Sequence, residues 1–276
     1  MNLITLSTRY ATATVSPYGA QVMSFALNGL PDVLWTTSDE FLEAAVAKGK
    51  ALRGGIPLCW PWFLAHPTAE GAPSHGVGRL RTWRVVEHVE TDEESRVVLT
   101  CELDGTEGAW PYQTEGRVTV TLTEMLEVAL ETTNRSGEAF TMTEALHTYI
   151  RVGEVEEIAI EGVSGLNRKH VSSGTELSPI YGPRAISGEV EELVFPVSEL
   201  AVTDPVLRRK VVVTNHGSDE FVIWNPGPEK AAGLDMPEGS CKQMVCLEAA
   251  NIDAKVTLGP GESHTLTTRL RVSVKE

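Results

Sequence analysis

A chain of 276 residues with 42% hydrophobic and 22% charged residues has the make-up of a soluble globular protein without extensive disorder. Its length lies near the upper end of what an all-β sandwich or barrel carries as one domain, so a single domain over 1–276 with a sizeable core is the first expectation. Asp and Glu number 38 against 23 Lys and Arg, a formal charge of −15 that disfavours nucleic acid and anionic membranes and obliges any anionic ligand to find a local basic pocket.

In chain order, residues 1–15 read as alternating strand rather than as a leader, and no window approaches the ~20 apolar residues of a membrane span, so a soluble cytoplasmic protein is expected. Residues 38–48 look helical, with Ser38 as N-cap and Asp39 and Glu40 in the first turn. Residues 54–78, rich in Gly, Pro, Trp and His, resist a strand assignment. Period-two alternation then dominates, at 81–87, at 96–103 and above all in the pair that follows. Val118, Val120 and Leu122 alternate with Thr119, Thr121 and Thr123, and Leu126, Val128 and Leu130 alternate with Glu127, Ala129 and Glu131. The break at Glu124-Met125 is too brief for a crossover helix, and residues 134–137 supply turn chemistry before a run over 140–152. Further strands are predicted at 209–214, 221–224, 242–248 and 264–274, with a second Gly- and Pro-rich segment at 225–240. The fold class is therefore all-β: a large antiparallel β-sandwich with one or two short helices. Long loops in such a domain are usually functional or mobile. Cys59, Cys101, Cys241 and Cys246 form no CxxC pair and have no histidine at zinc spacing, so neither a metal site nor a disulfide framework is indicated.

Three places could carry chemistry. In the strand over 140–152, Phe140, Met142, Leu146 and Ile150 face the core, while Thr143, Ala145, His147 and Tyr149 face the other way; Glu144 is out of place on the apolar side. His147 is either a hydrogen-bonded histidine on a half-exposed sheet or a general acid, a task for which an imidazole titrating near neutral pH is suited. Glu248 follows Met244 and Cys246 on one strand face, opposite Val245 and Leu247. It is either a charge at a strand end or a carboxylate whose pKa desolvation raises, which would make it a better base near neutrality. The third place is 52–63 with 74–79, where Trp60, Trp62, Phe63 and His75 accompany Arg53 and Arg79. Flat aromatic faces pack on sugar C–H groups and Arg forks bind hydroxyls or phosphate; the alternative is a structural loop whose tryptophans plug the sandwich end. Gly54-Gly55 lacks the spacing and the helix of a P-loop.

The string Arg53-Gly-Gly-Ile-Pro-Leu-Cys-Trp-Pro-Trp-Phe63, followed by His75-Gly-Val-Gly-Arg79 and Trp83, closely resembles the signature of the glucose-6-phosphate 1-epimerases, or hexose-6-phosphate mutarotases, of the aldose 1-epimerase superfamily. The resemblance continues in family order through Glu144 to His147, Trp224 to Lys230 with Asp235, and Met244 to Glu248. It implies a galactose mutarotase-like supersandwich with His147 as catalytic acid, Glu248 as catalytic base, and Arg53 and Arg79 binding substrate. Trp62, Ser74, His75, Glu191, Lys230 and Asp235 are the further substrate-binding candidates. Two departures bear on hydroxyl recognition: Ser74 stands where the family commonly has Gln, and Glu191 where it has a substrate-binding Asp. The implied activity is interconversion of α and β anomers of a hexose 6-phosphate by ring opening and reclosure. A monomer is expected, with a hexose phosphate as its partner and without metal, organic cofactor, nucleic acid or membrane. The rivals are an aldose 1-epimerase acting on free sugars and a catalytically silent carbohydrate-binding module.

Overall fold

A computed structural model describes residues 2–106 and 108–274, which leaves Met1 of the expected first strand outside the described residues. Among them run nineteen strands. The first are β1 (Ile4–Ser7), β2 (Ala11–Ser16), β3 (Gln21–Leu27), β4 (Leu58–Cys59), β5 (Arg84–Glu90), β6 (Ser95–Asp104), β7 (Gln113–Leu122), β8 (Leu126–Asn134) and β9 (Phe140–Leu146). Then come β10 (Tyr149–Arg151), β11 (Ala159–Glu161), β12 (Asn167–His170), β13 (Glu176–Leu177), β14 (Val190–Phe195) and β15 (Glu199–Asp204). The last are β16 (Arg209–His216), β17 (Glu220–Asn225), β18 (Met244–Leu258) and β19 (Ser263–Val274).

Two sheets of eight strands form the body. One has the order β13-β12-β14-β17-β18-β9-β4, with β10 also paired to β18; the other runs β11-β15-β16-β19-β8-β7-β6-β5, and a third sheet of three strands joins β1, β2 and β3. Adjacent strands in all three are antiparallel. The alternation explains the layering. Val118, Val120 and Leu122 of β7 and Leu126, Val128 and Leu130 of β8 are buried in one cluster with Phe140, Met142, Leu146, Ile150, Val245, Leu247 and Ala249 of the facing sheet. Each such side chain taken from water is worth about 1.5–3 kcal/mol, which fixes which face of β9 and β18 turns inward. The opposite face is left to carry other chemistry.

Glu144 is completely buried on that inner side, and its misfit is resolved by partners: Asn251 Nδ2 donates to it at 3.2 Å, and His264 Nε2 of β19 lies 3.2 Å away. Helix α1 (Asp39–Ala47) forms where expected and buries Leu42 and Ala45 beside Met23 and Leu52. Ser38 holds the extended N-cap backbone but makes no side-chain capping bond. A second helix, α2 (Gly227–Ala231), lies in the Gly- and Pro-rich stretch before β18. No helix among the described residues is long and apolar enough to cross a membrane.

The 54–78 segment is a strap along the edge of the site-bearing sheet, where β4 pairs with β9; residues 54–63 and 76–78 are buried, and 64–75 are half-buried or exposed. Gly55 (φ +64°) and Gly76 (φ +77°) bring backbone against backbone: a Cβ on either would lie 2.0 Å from the carbonyl oxygen of Val22 or Trp60, so no other residue fits. Trp60 donates through Nε1 to Thr132 Oγ1 at 2.9 Å, and Trp83 to the Gly78 carbonyl at 2.9 Å, which satisfies the polar tips of two fully buried rings.

Candidate active site

The sheet pairing brings His147 to Glu248. Leu146 pairs with Ala249 on one side and Tyr149 with Cys246 on the other, so His147 falls opposite Glu248 in the gap between β9 and β10. The backbone bends there because the His147 N–H turns away from β18 and donates to the Pro57 carbonyl of the strap at 3.0 Å. Nδ1 of His147 stands 3.5 Å from Oε1 of Glu248, with side-chain exposures of 10% and 1%. Neither His147 Nδ1 nor Glu248 Oε2 has a hydrogen-bond partner. Two buried, unsatisfied groups facing each other are costly to stability and mark a site built for something else.

Arg53, His75, Arg79, Glu191 and Lys230 join this pair around a pocket of about 270 Å³. Arg53 comes from the start of the strap and donates to the Tyr149 hydroxyl at 3.4 Å. Arg79 sits in a 3-10 turn, Gly78–Leu80, and is steadied by donating to the Ser74 carbonyl at 2.7 Å. Glu191 stands beside Trp224 in the β14–β17 ladder, one strand from Glu248. Its Oε1 accepts the Ser172 N–H at 3.0 Å and the Ser172 hydroxyl, and Oε2 accepts from Lys230 at 3.2 Å. Lys230 of α2 also donates to Glu189 at 2.8 Å. His75 adopts φ +63°, and its Nδ1 accepts the Leu64 N–H at 3.3 Å, which leaves the hydrogen of the neutral ring on Nε2. Aromatic walls complete the pocket: Tyr149 stacks on His147 at 4.6 Å and 10°, and Trp224 meets it edge-on at 5.6 Å.

The electrostatics follow from dryness. Burial pushes the Glu248 carboxyl well above the usual range, the neighbouring Glu191 adds to this, and Arg79 partly opposes it. Burial likewise pushes His147 well below the usual imidazole range, helped by His75, Arg79 and Arg53. His75 is lowered to about 3 by burial and the same two arginines. For Glu191, burial alone would raise the pKa, but hydrogen bonds from Ser172 and Lys230 outweigh it and hold the group below the ordinary value. Burial is the largest cause of the shifts at His147 and Glu248, so it opposes charge on either member of the pair.

Three candidates lie outside the pocket lining. Trp62 is 3% exposed, donates to the Pro73 carbonyl at 3.0 Å and packs on Trp110 and His66, so it plugs the fold. Ser74 contributes its backbone carbonyl to Arg79, and Asp235 its carbonyl to Thr37 Oγ1 at 3.1 Å. Conversely, Ser172 and Trp224 line the pocket without having been singled out. Trp224 shares a face with the Glu248 neighbours and was findable by alternation; Ser172 lies in a turn with no local signal. Cys246 is fully buried behind the lining, on the same face of β18 as Glu248.

A protein-family model described as aldose 1-epimerase matches residues 2–271. A Salmonella typhimurium protein named "Putative glucose-6-phosphate 1-epimerase" is 31% identical over 254 residues, covering 90% of this chain and 82% of its own length. An Escherichia coli protein of the same name is 30% identical over 256 residues, with coverages of 91% and 83%. Among solved structures, a Salmonella typhimurium mutarotase (YeaD, so described with the same qualifier) superposes with a TM-score of 0.87 at 27% identity, covering 99% of this chain and 90% of that one. A galactose mutarotase-like protein from Lactobacillus casei superposes at 0.75 with 15% identity over 99% and 100% of the two chains, which shows the shared fold.

Proposed function

Because the chain belongs to the aldose 1-epimerase family, we propose that this member interconverts the α and β anomers of a hexose 6-phosphate, glucose 6-phosphate first among them. The observation that carries the proposal is the opposition of buried His147 and Glu248 at 3.5 Å in a pocket that Arg53 and Arg79 also line.

Anomer exchange requires a proton to leave the C1 hydroxyl and another to reach the ring oxygen. Glu248 as carboxylate takes the first; His147 as imidazolium gives the second. The electron pair of the O1–H bond forms the aldehyde C=O, and the C1–O5 bond breaks with its pair on O5. Rotation about C1–C2 and the reverse transfers close the ring on the other face. Opening thus converts imidazolium and carboxylate into neutral imidazole and carboxylic acid, and burial, which opposes charge on both groups, favours that direction.

The closed sugar must then be met by a charged His147. A phosphate dianion near Arg53 and Arg79 would offset part of the positive field that those side chains direct at the imidazole and so favour its charged form. The same arginine forks explain how so acidic a protein would hold an anion. Glu191, kept ionised by Ser172 and Lys230, offers acceptor oxygens to sugar hydroxyls.

The test is anomer exchange, followed by polarimetry or exchange NMR, over glucose, galactose and mannose 6-phosphates and the matching free sugars, corrected for the spontaneous rate. Faster turnover of a phosphorylated hexose is expected. Preference for free sugars would assign the chain to the free-sugar aldose 1-epimerases, and binding without acceleration would make it a silent module.

A further inference from the structure

The pairing that sets His147 against Glu248 also delivers a sulfur atom. Cys246 precedes Glu248 by two residues on the same face of β18, pairs with Tyr149 and is fully buried as a free thiol. One ligand atom from each of His147, Cys246 and Glu248 lies within 4.8 Å of the other two. Two of these residues also hold an atom without a hydrogen-bond partner, Nδ1 of His147 and Oε2 of Glu248.

We propose that His147, Cys246 and Glu248 form a binding site for a thiophilic divalent cation, zinc foremost, which inhibits the enzyme by occupying its acid and its base. Zinc bonds to nitrogen, oxygen and sulfur run about 2.0–2.3 Å, so the edges of a tetrahedral site are about 3.3–3.8 Å. The His147 Nδ1 to Glu248 Oε1 separation of 3.5 Å is already such an edge. Cys246 Sγ lies within 4.8 Å of a ligand atom of each of the other two, so the triangle is closed by a contraction at the sulfur. A mixed imidazole, thiolate and carboxylate set suits zinc and not calcium or magnesium, which take oxygen ligands. Three protein ligands leave a fourth position for water or a sugar hydroxyl, as in open zinc sites.

Arg53 and Arg79 line the same pocket and would repel a bare cation. Zinc takes its ligands deprotonated, so its binding releases protons, and their departure offsets part of the charge it brings. Chain spacing alone does not reveal this trio, because its histidine reaches the other two ligands across the sheet.

The inhibitory consequence rests on the anomerisation proposed above, whereas the binding does not, and two measurements separate them. Cobalt(II) added to the purified protein should give a thiolate-to-cobalt charge-transfer band in the near ultraviolet that Cys246→Ser lacks, whatever sugar the protein uses. Zinc should inhibit anomer exchange competitively with sugar and reversibly on chelation, and Cys246→Ser should raise the half-inhibitory zinc concentration by at least about 10-fold, in line with the loss of one ligand. Glu248→Gln, tested for cobalt binding alone, provides a second variant that keeps the shape of the site. Absence of the band from the wild-type protein, its persistence in Cys246→Ser, or equal zinc potency in wild type and Cys246→Ser would overturn the site. A cobalt band in a protein that anomerises no sugar would leave the site standing and remove the functional proposal instead.

Discussion

The two eight-stranded sheets are built from the same alternation, yet they treat charge on their non-core faces in opposite ways. On the sheet containing β5 to β8, carboxylates are paired in the open: Glu87 with Arg96, Glu115 with Arg135, and Glu127 with Arg269 across the β8–β19 ladder. On the sheet containing β9 and β18, the 54–78 strap and α2 cover the corresponding face, and Glu248 is left at 1% exposure opposite an imidazole it does not hydrogen-bond. Exposed pairs are cheap to keep and worth about 0–1 kcal/mol each, whereas a buried carboxyl without a firm partner is a standing cost. The difference separates charge that solubilises a sheet from charge held out of water.

Glu192 sharpens the contrast from within the site-bearing sheet. It is as sequestered as its neighbour Glu191, but Arg168 and Arg184 both pair with it at 2.7 Å. Its burial raises the pKa less than those two arginines lower it, so it stays ionised. Glu248→Gln and His147→Asn should each lower turnover by about 10²–10⁴-fold, while Glu248→Gln leaves the melting temperature unchanged or raises it. Glu192→Ala should do the reverse, costing about 1.5–3 kcal/mol in urea unfolding by removing the carboxylate that two part-buried guanidinium groups share, with turnover per folded molecule retained. Equal loss of stability in the Glu248 and Glu192 variants would erase the distinction drawn between them.

Arg53→Ala comes next in size. A charged hydrogen bond is worth about 1.5–3 kcal/mol, so the Michaelis constant for a sugar phosphate should rise about 10- to 100-fold while that for the free sugar changes little. Matching effects on both would remove the case for phosphate.

A smaller effect concerns pH and stability. His75 holds a pKa lowered to about 3, beneath its unfolded value of about 6.5. The unfolded chain therefore takes up a proton that the folded one refuses as pH falls through that interval, so this contribution is intact above about 6.5 and is lost progressively towards 3. The slope is at most about 1.4 kcal/mol per pH unit. His75→Asn should flatten the dependence of urea stability on pH over that window, and an unchanged slope would mean that His75 is not held neutral.

Much of this contrast was legible in the sequence, and the remainder had identifiable reasons to be hidden. Alternation assigned the faces of β7, β8, β9 and β18, because period-two burial is a local property. It could not tell that His147 stands opposite Glu248, which depends on strand register over a hundred residues of intervening chain. Trp62 resembled a sugar platform because an aromatic ring in a loop looks the same whether it lines a pocket or plugs the fold; its bond to the Pro73 carbonyl decides for the plug. Glu144 looked misplaced until Asn251 and His264, both distant in sequence, supplied partners. The lowered pKa of His147 was hidden because it depends first on burial and then on His75, Arg79 and Arg53 converging on the ring from distant parts of the chain.

The least effect is expected on the open face, and it is the one that most directly tests the contrast. Glu127 and Arg269 sit directly opposite in register, the geometry in which a cross-strand pair is most favourable, and their side chains are 33% and 42% exposed. Water solvates both partners when the pair is broken, and salt screens them when it is made. A double-mutant cycle of Glu127→Gln and Arg269→Gln should therefore return a coupling of about 0.2–1 kcal/mol that shrinks in 0.5 M salt, with no change in anomer exchange. A coupling several times larger would mean that this face is effectively dry as well, and burial of charge would then no longer single out the sheet that holds His147 and Glu248.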